Sequence, residues 1–334
     1  MISPHILIVG SGSVGRRHAR NLHALGCRIS CLDPREERLA ELAAEVPVVG
    51  RFKDLGDALR GAAFDGVVIG SPPNVHVEQA MACLSAGLPV LLEKPVSADL
   101  ASAQRLAAAA RRSPAPVLLG YTWRWWPPLQ RVRELLATGA VGTLHHVQFH
   151  MSAHLADWHP WERYQDFFMA HRALGGGALL DESHWIDLAL WMFGMPETIS
   201  ASVEKLSELE IDTDDNVDLL LRYRENLRVS VHLDIFGRPH EKYIRFVGEK
   251  GTLLWTVEPN RIAIGGAMSG WDTVETFDCE RNDMFVSVAR EFLSIIGGAS
   301  AMTCCLDDGV RVLQVIETAR RASNEGRTLP LEGT

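Results

Sequence analysis

The ten residues Ile6-Leu-Ile-Val-Gly-Ser-Gly-Ser-Val-Gly15 constrain the fold more than any other stretch of the chain. A four-residue apolar run breaks directly into Gly10-x-Gly12-x-x-Gly15, and a helical pattern begins at Val14. Buried strand, tight turn and helix in that order form a cradle for a dinucleotide pyrophosphate. Gly10 permits the turn, Gly12 lets the backbone approach the phosphates, and Gly15 lets helix and strand pack closely, with Ser11, Ser13 and Val14 lining the same turn. A second short apolar segment, Arg28 to Leu32, ends at Asp33, where a carboxylate can accept from the adenosine ribose hydroxyls. That acid favours NAD over NADP, whose extra phosphate it would repel. Arg35, just beyond the strand, is a cation within reach of such a phosphate and counts among the expected cofactor contacts.

A chain of 334 residues exceeds what one core usually supports, so two domains are expected: residues 1–121 binding the dinucleotide and 122–334 holding the substrate and any subunit contact. Hydrophobic content of 47% with 22% charged residues is that of a globular protein without a disordered tail. A net charge of -9 argues against a nucleic-acid partner, which would need a basic stripe. The six cysteines lack Cys-x-x-Cys spacing and Cys304 adjoins Cys305, so neither a disulfide framework nor a zinc site is expected, and a reducing cytoplasm is the simplest compartment. The first strand begins by about residue 5, leaving no room for a signal peptide, and no apolar run approaches the roughly 18 residues of a membrane span.

Through residue 121 short apolar runs alternate with helical patterns. Ile6–Val9, Arg28–Leu32, Val46–Val49, Val67–Ile69, Val90–Leu92 and Val117–Leu119 read as strands of a parallel sheet covered on both faces, a Rossmann-type α/β arrangement. After Tyr121 the pattern changes. A helix over 127–137 precedes strictly alternating segments: Val147, Phe149, Met151 and Ala153 oppose His146, Gln148, His150, Ser152 and His154, and Leu227, Val229, Val231, Leu233 and Ile235 oppose Arg228, Ser230, His232 and Asp234. Such alternation predicts a large, mostly antiparallel sheet with one open, polar face. A final helix over about 307–324 stops at Gly326.

Cofactors in open parallel sheets bind beyond the carboxyl ends of the strands. Ser71, Pro72, Asn74 and His76 follow one strand, and Glu93-Lys94-Pro95 follows the next. Lys94 is thereby placed at the mouth of the cofactor site, where a positive nicotinamide and partial burial lower a lysine pKa into a range useful for proton transfer. Gly175-Gly-Gly-Ala-Leu-Leu-Asp-Glu-Ser-His-Trp-Ile-Asp187 is the second informative stretch. Its glycines permit close backbone approach. Asp181, His184 and Asp187 follow in a helical pattern, His184 and Asp187 three apart on one face.

Gly10-x-Gly12-x-x-Gly15, Pro73-Asn74-x-His76, Glu93-Lys94-Pro95, Tyr121-x-x-Arg124, the triple-glycine segment ending His184-x-x-Asp187 and the stretch from Glu317 to Gly326 together resemble the Gfo/Idh/MocA oxidoreductases over nearly the whole chain. The resemblance implies a nicotinamide-dependent dehydrogenase acting on a secondary hydroxyl of a sugar, sugar acid, nucleotide sugar or polyol. Lys94 and His184 occupy the positions of the family's catalytic lysine and histidine, and Arg124 falls among the residues near cofactor and substrate. Asp181 matches less cleanly, because only Glu182 and Ser183 separate it from His184 where the family pattern has three residues. The Asp-x-Ser-His form, preceded by Asp157-Trp158-His159-Pro160-Trp161-Glu162, resembles a subgroup linked to bacterial surface sugars. Trp158, His159, Trp161 and Arg163 are therefore expected near the substrate, and dimers or tetramers joined through the polar-faced sheet are implied.

Two other functions share these features: a cofactor-binding sensor without catalysis, and a glycosidase using bound NAD in a transient oxidation. The sensor would have no need of Lys94 and His184 together. Zinc held by His146, His150 and His154 is disfavoured, because alternate strand residues lie nearly 7 Å apart. Arg124, Arg163, Arg172 and Arg238 are candidates for gripping an acid or phosphate.

Overall fold

The computed structural model describes residues 3–158, 162–266 and 270–331. The chain divides into two compact units, Met1–Trp125 with Arg281–Val310, and Trp126–Glu280 with Arg311–Thr334. The first opens with β1 (His5–Val9), α1 (Ser13–Ala24), β2 (Arg28–Leu32), α2 (Glu36–Glu45), β3 (Val48–Phe52), α3 (Leu55–Gly61), β4 (Gly66–Ile69), α4 (Pro73–Ser85), β5 (Val90–Leu92), α5 (Leu100–Ala110) and β6 (Val117–Leu119). Its six strands are parallel in the order β3-β2-β1-β4-β5-β6. Ile6, Leu7, Ile8 and Val9 are wholly buried, as are Val67, Val68 and Ile69. Each such side chain contributes about 1.5–3 kcal/mol, which is why both faces of these strands are apolar. β3 begins two residues later than the apolar run at 46–49 predicts, because the Val46 amide still donates to Leu42 and closes α2. The strand order reverses between β1 and β4, the place where open α/β sheets take their ligands.

The second unit begins with α6 (Pro127–Ala137), β7 (Leu144–Ser152), α7 (Ala178–Asp181), α8 (His184–Phe193), β8 (Thr198–Glu204), β9 (Asn216–Arg222), β10 (Arg228–Asp234), β11 (Glu241–Gly248), β12 (Gly251–Thr256), β13 (Arg261–Gly266) and β14 (Gly270–Thr276). Then follow α9 (Arg281–Ile296), α10 (Leu306–Glu325) and β15 (Leu329–Pro330). Nine strands form one sheet in the order β14-β13-β12-β11-β7-β10-β9-β8-β15. Val147, Phe149, Met151, Val229, Val231 and Leu233 turn to the core, where Trp185 of α8 meets Phe149 and Trp255 at ring separations of 6.4 and 6.5 Å. The sheet is mostly antiparallel, but β7 and β10 are adjacent and parallel. Alternation along a strand reports which face is buried and carries nothing about direction.

On the opposite face the register aligns Tyr243, His150, His232 and Asp218 across β11, β7, β10 and β9. His150 stacks between Tyr243 at 4.6 Å and His232 at 5.1 Å, and His232 bonds Asp218 at 2.8 Å and Asp234 at 3.2 Å. A shallow cavity of about 640 Å³ overlies this row. Among the described residues no three His, Cys, Asp or Glu side chains are grouped to hold a metal ion, and no helix is long and apolar enough to cross a membrane.

Arg281–Val310 folds with the first unit, a departure from the contiguous 122–334 domain expected from sequence. Phe292 and Ile296 of α9 fill the space against Gly66 that a side chain would occupy. Trp125 donates to Glu291 at 2.8 Å, Arg124 donates to the Thr303 carbonyl at 3.0 Å, and Cys305 bridges Leu118. The early apolar strands need a cover that the first 121 residues do not supply.

Candidate active site

The three glycines of the turn differ in why they are glycine. Gly10 has φ +87°, and a Cβ there would lie 2.7 Å from the Ser71 amide nitrogen. A Cβ on Gly15 would lie 1.9 Å from the Gly10 carbonyl oxygen, so β1 and α1 meet only through glycine. At Gly12 φ is -73° and a Cβ would meet nothing within 4 Å. The protein's own fold therefore requires the first and third glycines, while the second keeps a space open. Gly12 is also the N-cap of α1 and offers no side-chain cap, whereas Asp54 and Asp99 cap α3 and α5. The first amides of α1 consequently lack an intrahelical acceptor and supply an anion site. Ser11 Oγ is buried with no partner among the described residues. Asp33, only 2% exposed, accepts from the Ser11 amide at 2.9 Å and from the Arg35 amide and Nε at 3.0 and 3.3 Å. A carboxylate offers about four acceptor directions, so capacity remains for a ribose hydroxyl. These residues fit an NAD pyrophosphate and ribose.

Beyond β1, β4 and β5 the side chains divide into those turned outward and those absorbed by the protein. Ser13, Pro72 and Asn74 are exposed, and Val14, Ser71 and Lys94 are half-buried. His76 is fully buried between the carbonyls of Pro95 at 2.9 Å and Ser71 at 2.7 Å. Burial lowers its pKa against the pull of the two carbonyls, and the ring ties the two loops together. Glu93 directs one carboxylate oxygen to His18 Nε2 at 2.7 Å and the other to the Lys94 amide at 3.3 Å. Arg124, 4% exposed, binds Asp308 at 3.2 Å as well as Thr303. The sequence pointed to His76, Glu93 and Arg124 as cofactor contacts, and to Arg124 as a substrate contact too. In the structure all three groups have protein partners, as buried polar groups require.

In the second unit the triple glycine serves the chain itself. A Cβ on Gly176 would lie 2.4 Å from the Met169 carbonyl oxygen, and one on Gly177, at φ +111°, would lie 2.6 Å from Asp214. Asp214 accepts from the Leu179 amide at 2.8 Å, and its backbone carbonyl accepts from Ala178 at 2.9 Å, fixing the first turn of α7. Burial pushes the Asp214 carboxyl above the usual range, against the pull of the Leu179 amide and Arg320. Asp181 ends α7, Glu182 and Ser183 make the step, and His184 opens α8 three residues before Asp187. Asp181 and Asp187 are buried, and His184 is half-buried. Glu182, not singled out from sequence, accepts from Trp185 Nε1 at 3.0 Å.

Trp158 is half-buried, while His159 and Trp161 lie outside the described residues. Arg163 is exposed at the start of a 3₁₀ turn. Arg172 donates to the Asp212 carbonyl, and Arg238 grips Asp157 through two bonds of 2.7 and 2.9 Å. Both guanidinium groups are thus engaged within the chain. Asp214 and the His18–Glu93 pair escaped sequence reading because their partners are 35 and 75 residues away. The available signal was His18 itself, a polar side chain on the inward face of an amphipathic helix one turn beyond Gly15.

Residues 5–121 match the profile of an oxidoreductase family with an NAD-binding Rossmann fold, and residues 129–254 match the GFO/IDH/MocA C-terminal domain. The chain is 23% identical to a myo-inositol 2-dehydrogenase of Thermotoga maritima, over 97% of this chain and 98% of that protein. Among solved structures, a levoglucosan dehydrogenase in complex with NADH superposes with a TM-score of 0.88 at 17% identity, each chain covered completely. The WlbA dehydrogenase from Bordetella pertussis, in complex with NADH and UDP-GlcNAcA, gives 0.84 at 22% identity, again over both whole chains.

Proposed function

The chain belongs to the Gfo/Idh/MocA family of NAD-binding oxidoreductases, and on that premise we propose that it oxidises a secondary hydroxyl of a cyclic polyol, sugar or nucleotide sugar, with Lys94 and His184 as its acid–base pair. The observation that carries the reading is the open space at Gly12 combined with an amine, Lys94, at the carboxyl end of β5, two strands from the glycine turn in the same sheet. Bound NAD supplies the acceptor for the hydride. The residues of this chain handle the proton. Lys94 Nζ takes the hydroxyl proton as the carbonyl forms and then donates a hydrogen bond to that oxygen. His184 passes the proton to water, with Asp187, one helical turn on, setting the orientation of the ring. Asp181, at the end of α7, and Trp158 complete the surroundings of the substrate. Relatives named for inositol and levoglucosan support an uncharged ring with several hydroxyls, and the one crystallised with UDP-GlcNAcA supports a nucleotide sugar. We further propose that the chain forms dimers or tetramers through the open face of the nine-stranded sheet.

The test is a panel of myo-inositol, scyllo-inositol, levoglucosan and UDP-GlcNAcA assayed for NAD reduction, followed by Lys94→Met and His184→Ala on the best substrate. Each substitution should lower kcat by about 10²- to 10⁴-fold while NAD binding measured by calorimetry is retained. A Lys94→Met enzyme with near-normal kcat removes the assignment, and loss of NAD binding makes Lys94 a cofactor ligand.

A further inference from the structure

Glu93 is buried, with 7% of its surface exposed. Its carboxylate lies 2.7 Å from His18 Nε2 and accepts the Lys94 amide, and a Cβ on Gly120 would stand 3.1 Å from the carboxylate carbon. His18 is wholly buried on α1, in edge-to-face contact with Phe285 at a centroid separation of 5.6 Å, and Arg17 lies over that same phenyl ring at 4.6 Å. Glu93 therefore cannot swing without losing its partner or crowding Gly120, the residue that follows β6. The residue that follows it is Lys94. His18 belongs to the helix that the glycine turn opens, so two hydrogen bonds through the Glu93 carboxylate link the main chain at Lys94 to α1.

Stability alone gives little reason for such a pair. Two ionisable groups taken out of water recover their desolvation cost only with good geometry, and apolar side chains of similar volume often do as well. A directional bond gives what apolar packing does not, a fixed position for a neighbouring backbone. We propose that His18 and Glu93 are positioning residues that hold Lys94 in register with the glycine turn, so that its amine stands where a cofactor seated on α1 requires it. This inference rests on the reading of Lys94 as the proton acceptor. The geometry couples the two ends of the site through a 2.7 Å contact between two buried side chains.

The test compares His18→Leu, His18→Gln and Glu93→Gln with Lys94→Met. Turnover on the best substrate of the panel, NAD affinity and thermal stability are measured for each. His18→Leu and Glu93→Gln should lower kcat by about tenfold to a hundredfold, with KM and NAD affinity unchanged, the penalty expected of a misplaced catalytic group. His18→Gln keeps a donor near the position of Nε2 and should restore most of the loss. A second readout needs no substrate. The chain has five lysines, Lys53, Lys94, Lys205, Lys242 and Lys250. After reductive ¹³C-methylation the Lys94 resonance, identified by its absence from Lys94→Met, should shift in His18→Leu while the other four stay in place. An unmoved Lys94 resonance overturns the proposal, and so does unchanged kcat in His18→Leu beside an inactive Lys94→Met. Parallel loss of kcat, NAD affinity and stability in all three pair variants makes the pair merely structural and overturns it too. If Lys94→Met itself turns over normally, the catalytic reading fails, and the resonance alone decides whether His18 positions Lys94.

Discussion

At the scale of single residues, Asp33 and His232 show how one carboxylate can decide a ligand and another a proton. Asp33 is held by the Ser11 and Arg35 amides with an oxygen turned to the glycine loop, so the extra phosphate of NADP would meet a buried negative charge. NAD should bind more tightly than NADP at matched ionic strength, and Asp33→Ser should narrow the gap; a fluorescence titration that finds NADP favoured in the parent refutes this. His232 is raised to about 9, chiefly by its bond to Asp234 and further by Asp218, against the opposing effect of burial. Burial and the neighbouring His232 charge draw His150 down, and Tyr243 and Glu241 complete the surroundings. The folded pKa of His232 lies above its ordinary 6.5, so its stabilisation is complete below about pH 6.5 and is lost as pH rises through 9. Such a shift corresponds to roughly 3 kcal/mol at face value, and water reaching a third of the side chain reduces it to the order of 1 kcal/mol. His232→Gln should accordingly cost about 1 kcal/mol at pH 6 and almost nothing at pH 10, read from urea unfolding; equal costs at both values refute it.

At the scale of elements, the strand, turn and helix from β1 to α1 allow two substitutions with opposite signatures. Gly12→Ala places a methyl where the protein has nothing, at a φ any residue adopts, so thermal stability should hold or rise slightly while NAD affinity falls at least about tenfold. Gly15→Ala drives a methyl into the Gly10 carbonyl and should lower stability before any ligand is added. Calorimetry and thermal melts separate them, and a Gly12→Ala protein with parental NAD affinity removes the phosphate cradle. The same element shows what a sequence displays. Runs such as Ile6–Val9 and Val90–Leu92 announce buried strands, because a sheet covered on both faces leaves no polar position. The parallel pairing of β7 with β10 is invisible, since Val147 and Val229 alternate identically in either direction. Lys94 and His184 stood out through motif and placement. Asp214, His18 and Glu93 acquire their roles only from partners that the fold brings close.

At the scale of the whole molecule, the nine-stranded sheet buries one face and leaves the row Tyr243, His150, His232 and Asp218 partly open. If copies of the chain meet there, light scattering at micromolar concentration should report at least a dimer, and Leu220→Glu, which charges a side chain 43% exposed on that face, should favour the monomer. A parental monomer ends this reading. The other long-range feature is the return of α9 to the first unit. On a ribosome, β1 through β6 are made first, yet the flank of β4 at Gly66 stays bare until Phe292 and Ile296 exist. A fragment ending at residue 280 should be cleaved by protease within the first 125 residues far faster than the full chain, and equal rates would show that the strands close without α9. The part of the protein translated earliest is thus sealed only after most of the second unit has been made, and a chain stalled anywhere between residues 126 and 280 leaves its cofactor-binding half unfinished.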